Sequence, residues 1–283
     1  MKQEQPSAYF VEDRSSRDDL TRLQIQDQML TRAMGGVLSE QNSPATFRRV
    51  LDVGCGTGGW LIDTARMYPT IEVLAGVDIS STMIQYARQQ AALHHLDNRV
   101  EFHPMDALRM LEFPDQFFDL VNHRCGISYL RIWEWPKLLQ EYKRVLQREG
   151  TVRISEGEWG AESTSPALTF LFDLLCCAFH RAGHSFTPAY NGVTSYLNDL
   201  LHQHGFEQIQ SRLIVQEYHA GTPEWQHFFD DMKLTFRLVL PFLRKWAAVP
   251  DNYDYQYQQA MEEMQHPDFV AHGNLLTVWG TIP

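Results

Sequence analysis

Apolar and polar residues alternate between two periods along the first half of the chain. From Ser16 to Met34, Leu20, Leu23, Leu30, Ala33 and Met34 recur near helical spacing, with Ile25 and Met29 alongside, and Gly35-Gly36 ends the run. Gln41-Asn42-Ser43-Pro44 reads as a linker. Short apolar runs then predict strands at about 49–54, 72–77, 99–103, 118–123 and 151–155. Helical patterns fill the gaps. One covers about 58–68. A second is capped by Ser80 or Ser81 and carries Met83, Ile84, Ala87 and Ala91. A third opens at Trp135-Pro136 and carries Leu138, Leu139, Tyr142, Val145 and Leu146. Strands alternating with helices predict a parallel, doubly wound α/β sheet.

After Glu156 the pattern becomes mostly helical. Ser165-Pro166 opens a helix that Gly183 closes, a loop covers 184–192, and a helix follows at about 193–204. A strand at about 207–215 precedes an aromatic-rich helical stretch, 223–247, that Pro241 should break. A helix at 253–264 and a strand at 274–280 finish the chain. The expected division is an N-terminal helical arm or lid, 1–43, and a domain over 44–283 with cap insertions at about 157–204 and 216–270.

The sharpest local signal is Val50-Leu51-Asp52-Val53-Gly54-Cys55-Gly56-Thr57-Gly58-Gly59-Trp60, a strand, a glycine turn and a helix N-terminus. Such a turn holds a nucleotide-like cofactor at the carboxyl edge of the sheet. Gly54, Gly56 and Gly59 fit a dinucleotide fingerprint, and Gly54, Gly56 and Gly58 equally fit the G-x-G-x-G of S-adenosylmethionine enzymes. Asp52 separates the two. A carboxylate there repels a pyrophosphate and attracts the ammonium of a methionine moiety.

Charge and cysteine usage narrow the remaining classes. The net charge of -11, with no Lys/Arg run, argues against nucleic acid as partner. The four cysteines, Cys55, Cys125, Cys176 and Cys177, form no C-x-x-C pair, so neither a disulfide framework nor a metal site is expected. The segment Met1–Pro6 is polar, and no apolar run approaches the roughly 18 residues of a membrane span. A soluble, cytoplasmic protein is expected, with homo-oligomerisation through the arm as an option.

The motifs then add up to a resemblance. Leu51-Asp52-Val53-Gly54-Cys55-Gly56-Thr57-Gly58 resembles the first motif of class I S-adenosylmethionine-dependent methyltransferases. Gly76-Val77-Asp78-Ile79-Ser80 resembles the second, Met105-Asp106-Ala107 the third and Phe118-Asp119-Leu120-Val121 the fourth. Arg148-Glu149-Gly150-Thr151 resembles the turn before the fifth strand, with Gly150-Thr151-Val152 where the family usually has G-x-L. The motifs cover about 48–156. Leu30-Thr31-Arg32-Ala33-Met34-Gly35-Gly36 and Leu276-Thr277-Val278-Trp279-Gly280 are similar to a bacterial subgroup that methylates small molecules in secondary metabolism, prenylated indoles among them.

The resemblance implies a Rossmann-like sheet of seven mostly parallel strands with helices on both faces. It implies transferase activity: a methyl group passes from S-adenosylmethionine to a small-molecule acceptor, an aromatic or isoprenoid-bearing metabolite, and S-adenosylhomocysteine is released. In that scheme Asp52 meets the methionine ammonium and Gly54, Cys55, Gly56 and Gly58 form the turn beneath the ligand. Asp78 accepts from the ribose, Ile79 and Met83 pack on the adenine, and Met105, Asp106 and Ala107 flank it. Asn122 and His123 face the methionine part. For the chemistry, His123 is the first candidate base or orienting group. Tyr129, Glu156 with Glu158, and Tyr9 from the arm are candidates for the acceptor side. His180, His184, Phe186, Tyr190 and the later aromatic row either shape an acceptor pocket or form core. Other readings are a protein that binds S-adenosylmethionine without methylating or to rearrange a substrate, a macromolecule methyltransferase, and an NAD-dependent dehydrogenase, which Asp52 disfavours.

Overall fold

In the computed structural model, residues 9–11, 16–158 and 162–283 are described. The polar segment Met1–Pro6 lies outside them. Helix α1 (Arg17–Ala33) starts at Ser16, whose side chain accepts from the Asp18 amide, and ends before Gly35 and Gly36, both at positive φ. Then come β1 (Arg49–Val53), α2 (Gly59–Met67), β2 (Val73–Asp78), α3 (Ser81–Leu93), β3 (Val100–Pro104), β4 (Phe118–Arg124), α4 (Trp135–Val145) and β5 (Leu146–Gly157). The second half holds β6 (Glu162–Ser163), α5 (Pro166–Ala182), α6 (Leu197–Gln203), β7 (Glu207–His219), α7 (Pro223–Leu238), α8 (Leu240–Trp246), α9 (Tyr253–Glu263) and β8 (Val270–Thr281).

The strands form one sheet in the order β3-β2-β1-β4-β5-β8, with β7 on the far edge of β8 and the two-residue β6 beside the start of β8. β1 to β5 are parallel, and β8 runs antiparallel to both β5 and β7. This is the expected Rossmann-like sheet with one short extra strand. Two residues carry no periodic pattern, so β6 leaves no mark in the sequence. β7 and β8 run longer than their apolar runs predict, because their mutual pairing continues to Val270 and His219.

Strand residues alternate between two cores. Val50, Leu74 and Leu120 pack with Trp60, Leu61, Ile84 and Ala87 of α2 and α3. Leu51, Val53, Ala75, Val77, Val121, Val152 and Ile154 pack with Leu138, Tyr142, Leu171 and Phe179 from α4 and α5. A strand buried on both faces needs both alternate sets to be apolar, as seen here. Gly58 serves this packing. A Cβ there would come 2.7 Å from the Phe102 ring and 2.9 Å from Ala87. Pro241 stands at the start of α8 and divides the aromatic stretch into α7 and α8, as expected from its missing donor.

The arm packs on the sheet domain. α1 lies beside α2 and against α7, and Leu30 and Met34 pack on Leu275 of β8. Thus α1 lies alongside the carboxyl ends of β1 and β4, where the candidate site is built.

Candidate functional site

A cavity of about 360 Å³ opens at the carboxyl ends of β1, β2 and β4. Its floor is the glycine turn. The Gly54 and Cys55 amides both donate to the Val77 carbonyl, at 2.9 and 3.0 Å, which pins the turn to β2. Gly54 has φ +70°, and a Cβ there would collide with the Tyr129 phenol. Glycine is required at this position on both grounds. A Cβ at Gly56 would meet nothing within 4 Å, so that position opens into free space.

Carboxylates punctuate the wall. Asp52 lies near the end of β1 and is almost completely buried, with Asn122 Nδ2 donating to its Oδ1 at 2.7 Å. Asn122 in turn accepts from Arg153 at 2.6 Å, and Arg153 donates to Glu40 at 2.7 Å. Burial raises the Asp52 pKa to about 6, opposed by the Arg124 charge and the Asn122 bond. Asp78 accepts from the amides of Gly56 (3.1 Å) and Ser80 (2.8 Å). Asp106 accepts from the Leu108 amide at 3.0 Å and pairs with Arg109 at 3.3 Å. Between them, half-exposed Ile79, buried Met83, Met105 and Ala107 supply apolar surface. Asp52, Gly54, Cys55, Gly56, Asp78, Ile79, Met83, Met105, Asp106 and Ala107 therefore line one space, with Tyr129 and Tyr9 facing them.

Other expected residues lie elsewhere. Gly58 sits under the turn, against Phe102, and Asn122 stands behind Asp52. His123 was expected to face the cofactor; instead it is fully buried behind Tyr129. Its ring is stacked between Tyr129 and Trp135, with centroids 5.7 and 5.5 Å away. Nδ1 shares a hydrogen bond with the Tyr142 hydroxyl (2.8 Å) and Nε2 one with the Tyr129 hydroxyl (3.1 Å). Burial lowers its pKa to about 3, so the imidazole is neutral near pH 7, with both ring nitrogens engaged by tyrosine hydroxyls.

Glu156 was expected on the acceptor side. It is buried and accepts from the amides of Gly126 (2.5 Å) and Ile127 (3.3 Å), holding the turn that delivers Tyr129. Glu158 bonds Thr194 and Asn274, away from the cavity. The aromatic residues of the two caps do not line the cavity either. Phe228, Phe236 and Phe242 are core, and Phe186 stacks on Tyr196.

The facing wall comes instead from α1 and from the segment after β4. Arg22, Leu23, Gln26, Asp27 and Leu30 form one helical stripe toward the cavity. Arg124 Nη2 meets Asp27 at 2.5 Å, and Asp27 also sits over Gly59 at the start of α2. Sequence reasoning missed these charged residues. Their signal was the polar residues at 22, 26 and 27, interleaved with the apolar stripe of α1. Tyr9 accepts from Arg22 at 2.7 Å and donates to Asp19 at 3.2 Å, and its burial pushes the phenol pKa far up.

Glu156 yields a stability prediction. Burial raises its pKa from 4.5 to about 8, against the two amide bonds that lower it. The folded chain thus keeps a proton that the unfolded chain releases. The associated stability is present below the unfolded pKa and is lost as pH rises through about 8. A tenfold difference in proton affinity between the two states corresponds to about 1.4 kcal/mol. Melting temperatures between about pH 5 and pH 8.5 should fall less steeply for Glu156→Gln than for the wild type. Parallel curves would assign the effect to other groups.

Residues 50–150 match the family model described as a methyltransferase domain. A demethylmenaquinone methyltransferase of Porphyromonas gingivalis is 38% identical over 114 residues, 40% of this chain and 45% of that protein. Ajmaline N-methyltransferase of Rauvolfia serpentina is 36% identical over 107 residues, 38% of this chain and 35% of that protein. The matched stretch thus spans less than half of either relative. Among solved structures, Haemonchus contortus phosphoethanolamine N-methyltransferase 2 in complex with S-adenosyl-L-methionine superposes with a TM-score of 0.52 at 21% identity. That superposition covers 91% of this chain and 52% of the other. Residues 50–150 of this chain form a methyltransferase domain of the class I architecture.

Proposed function

We propose that the cavity binds S-adenosylmethionine and that the protein transfers its methyl group to a small molecule. The observation that carries this reading is the placement of Asp52, Asp78 and Asp106 along one cavity above the Gly54–Gly56 turn. Each carboxylate suits a different part of the ligand. Asp52 would hold the ammonium, Asp78 the ribose hydroxyls and Asp106 the adenine amino group, with Ile79 and Met83 against the ring. The open space at Gly56 and the Tyr129 hydroxyl over Gly54 fit a ligand lying close above the backbone. S-adenosylmethionine supplies a methyl group already activated on a sulfonium. The chain's own part is to orient donor and acceptor and to exclude water. A base is dispensable for acceptors that attack through a neutral nitrogen. Tyr129, fixed by neutral His123, would position the acceptor, and Tyr9 would close the arm side.

The acceptor proposed is an aromatic or isoprenoid-bearing metabolite, in keeping with the apolar surface offered by Phe10, Leu23, Leu30 and Trp133. The small-molecule methyltransferases among the relatives support this class. Among the described residues no helix is long and apolar enough to cross a membrane.

Calorimetry with S-adenosylmethionine, S-adenosylhomocysteine and NAD tests the reading. Binding of the first two without NAD is expected; NAD binding alone would overturn it. Asp78→Ala should weaken S-adenosylmethionine at least about tenfold, about 1.4 kcal/mol, for the lost charge-assisted bonds. Unchanged affinity would remove Asp78 from the site. Labelled methyl transfer into a metabolite extract, read by mass spectrometry, would identify the acceptor. Binding without any transfer would favour a non-methylating role.

A further inference from the structure

Among the described residues three cations line the cavity: Arg22, Arg124 and Arg131. Arg22 pairs with Asp19 and Arg124 with Asp27. The Arg131 guanidinium lies instead over the Trp133 ring, 5.3 Å from its centroid, and makes no ion pair or hydrogen bond among the described residues. The neighbouring carboxylate of Glu134 is turned to the backbone, where its Oε2 accepts from the Arg131 amide at 2.8 Å. The guanidinium is open. Among the described residues the buried side-chain nitrogens without a partner are Arg22 Nη1 and Trp135 Nε1, so the unbonded nitrogens of Arg131 are accessible. Its platform is open as well: Trp133 is 60% exposed and lines the same cavity. The indole is nevertheless seated. A Cβ at Gly183, the residue that ends α5, would come 2.3 Å from Cζ3 and 2.5 Å from Cη2 of the ring, and the Ile132 amide donates to the Gly183 carbonyl at 2.8 Å. A guanidinium braced on an aromatic face keeps its N–H edge free, and that edge matches the paired oxygens of a carboxylate or phosphate.

We propose that Arg131, braced on Trp133, binds an anionic oxygen group of the methyl acceptor, a carboxylate or a phosphate, at the mouth of the cavity. The inference rests on the cavity being a methyl-transfer site. An anion is indicated because the other two lining cations already face carboxylates and Arg131 does not. Its positive charge is kept available in a chain whose net charge is -11. The anion belongs to the acceptor rather than to S-adenosylmethionine because of depth. The methionine end is assigned to Asp52, which is 3% exposed, whereas Trp133 stands at the solvent side. The exposed indole also offers apolar surface to the organic body that carries the anion.

The test compares benzoate, phenyl phosphate and the neutral benzamide on the full-length protein saturated with S-adenosylhomocysteine. Saturation-transfer NMR with titration gives their dissociation constants. At least one anion is expected to bind at least about fivefold more tightly than benzamide, and Arg131→Met to erase that preference while S-adenosylhomocysteine affinity stays within about twofold. The favoured anion then identifies the group. Benzamide binding as tightly as both anions, no measurable anion binding, or a preference that survives in Arg131→Met would each overturn the assignment. A loss of S-adenosylhomocysteine affinity beyond about twofold in the variant would give Arg131 to the methionine carboxylate and overturn it as well. Arg131→Gln repeats the reading should Arg131→Met misfold. The wild-type comparison needs no variant, and absence of the anion preference there is decisive by itself. The series is repeated without S-adenosylhomocysteine. If that ligand does not bind while the anion preference stands, the methyl-transfer reading falls and the anion site at Arg131 is retained. If it binds and no preference appears, this inference alone falls.

Discussion

Asp52→Asn is expected to weaken S-adenosylmethionine binding about a hundredfold at pH 8, about 2.7 kcal/mol, while leaving the fold intact. Asparagine keeps the oxygen that accepts from Asn122 Nδ2, so the chain through Arg153 to Glu40 retains its bonds. What is lost is the negative charge facing the ligand ammonium in a site where water screens poorly. The pH dependence makes the test specific. The Asp52 carboxyl titrates near 6, because burial opposes its charge more strongly than Arg124 and Asn122 favour it. Above that pH the wild type presents a carboxylate; below it, a neutral acid resembling the variant. The affinity advantage of the wild type should therefore shrink as pH falls below about 6, to about tenfold near pH 5, and vanish only below about pH 4, because bound ligand holds the carboxylate ionised about two pH units further down. Calorimetric titrations across that range measure it. A constant ratio between the proteins, or equal affinity at pH 8, would place the ammonium elsewhere.

The sheet-edge wall of this cavity was legible in the sequence because its determinants are local. Asp52 and Asp78 lie at the ends of strands whose apolar runs mark them, and Ser80 caps the helix that brings Met83 to the cavity. In a parallel sheet, strand ends converge on one edge without help from distant residues. His123 shows where that logic stops. It lies on the right strand, near the right edge, yet α4 contributes both Trp135 and Tyr142 around it, and that enclosure is set by tertiary packing alone. One residue further on, Arg124 is the β4 side chain that reaches the cavity. The far wall was illegible for the same reason. The stripe Arg22-Leu23-Gln26-Asp27-Leu30 is visible as a mixed helix face, but only packing on α7 and α2 reveals what it faces. The aromatic caps went the other way: their rings fill the core around α5, α7 and α8 instead of the cavity.

Deleting residues 1–34 should then cost both stability and ligand affinity, because the arm is wall as well as cover. The deletion removes Phe10, Val11, Leu30 and Met34, all buried, from two separate clusters. Truncating even one such side chain to alanine typically costs about 2–5 kcal/mol. It also strips Asp27 from Arg124 and Arg22 from Asp231, leaving charges with little or no exposure unpaired. Breaking a buried pair from one side costs about 3–5 kcal/mol more. Against the roughly 5–15 kcal/mol that a domain has in total, the truncated chain should unfold at least about 10 °C lower or lose its cooperative transition. Any fraction that remains folded should bind S-adenosylhomocysteine at least about tenfold more weakly, since five lining residues of α1 are gone. Differential scanning calorimetry and titration on the same sample separate the two effects. A truncated protein with the wild-type transition and affinity would show that the sheet and its loops complete the site without the arm.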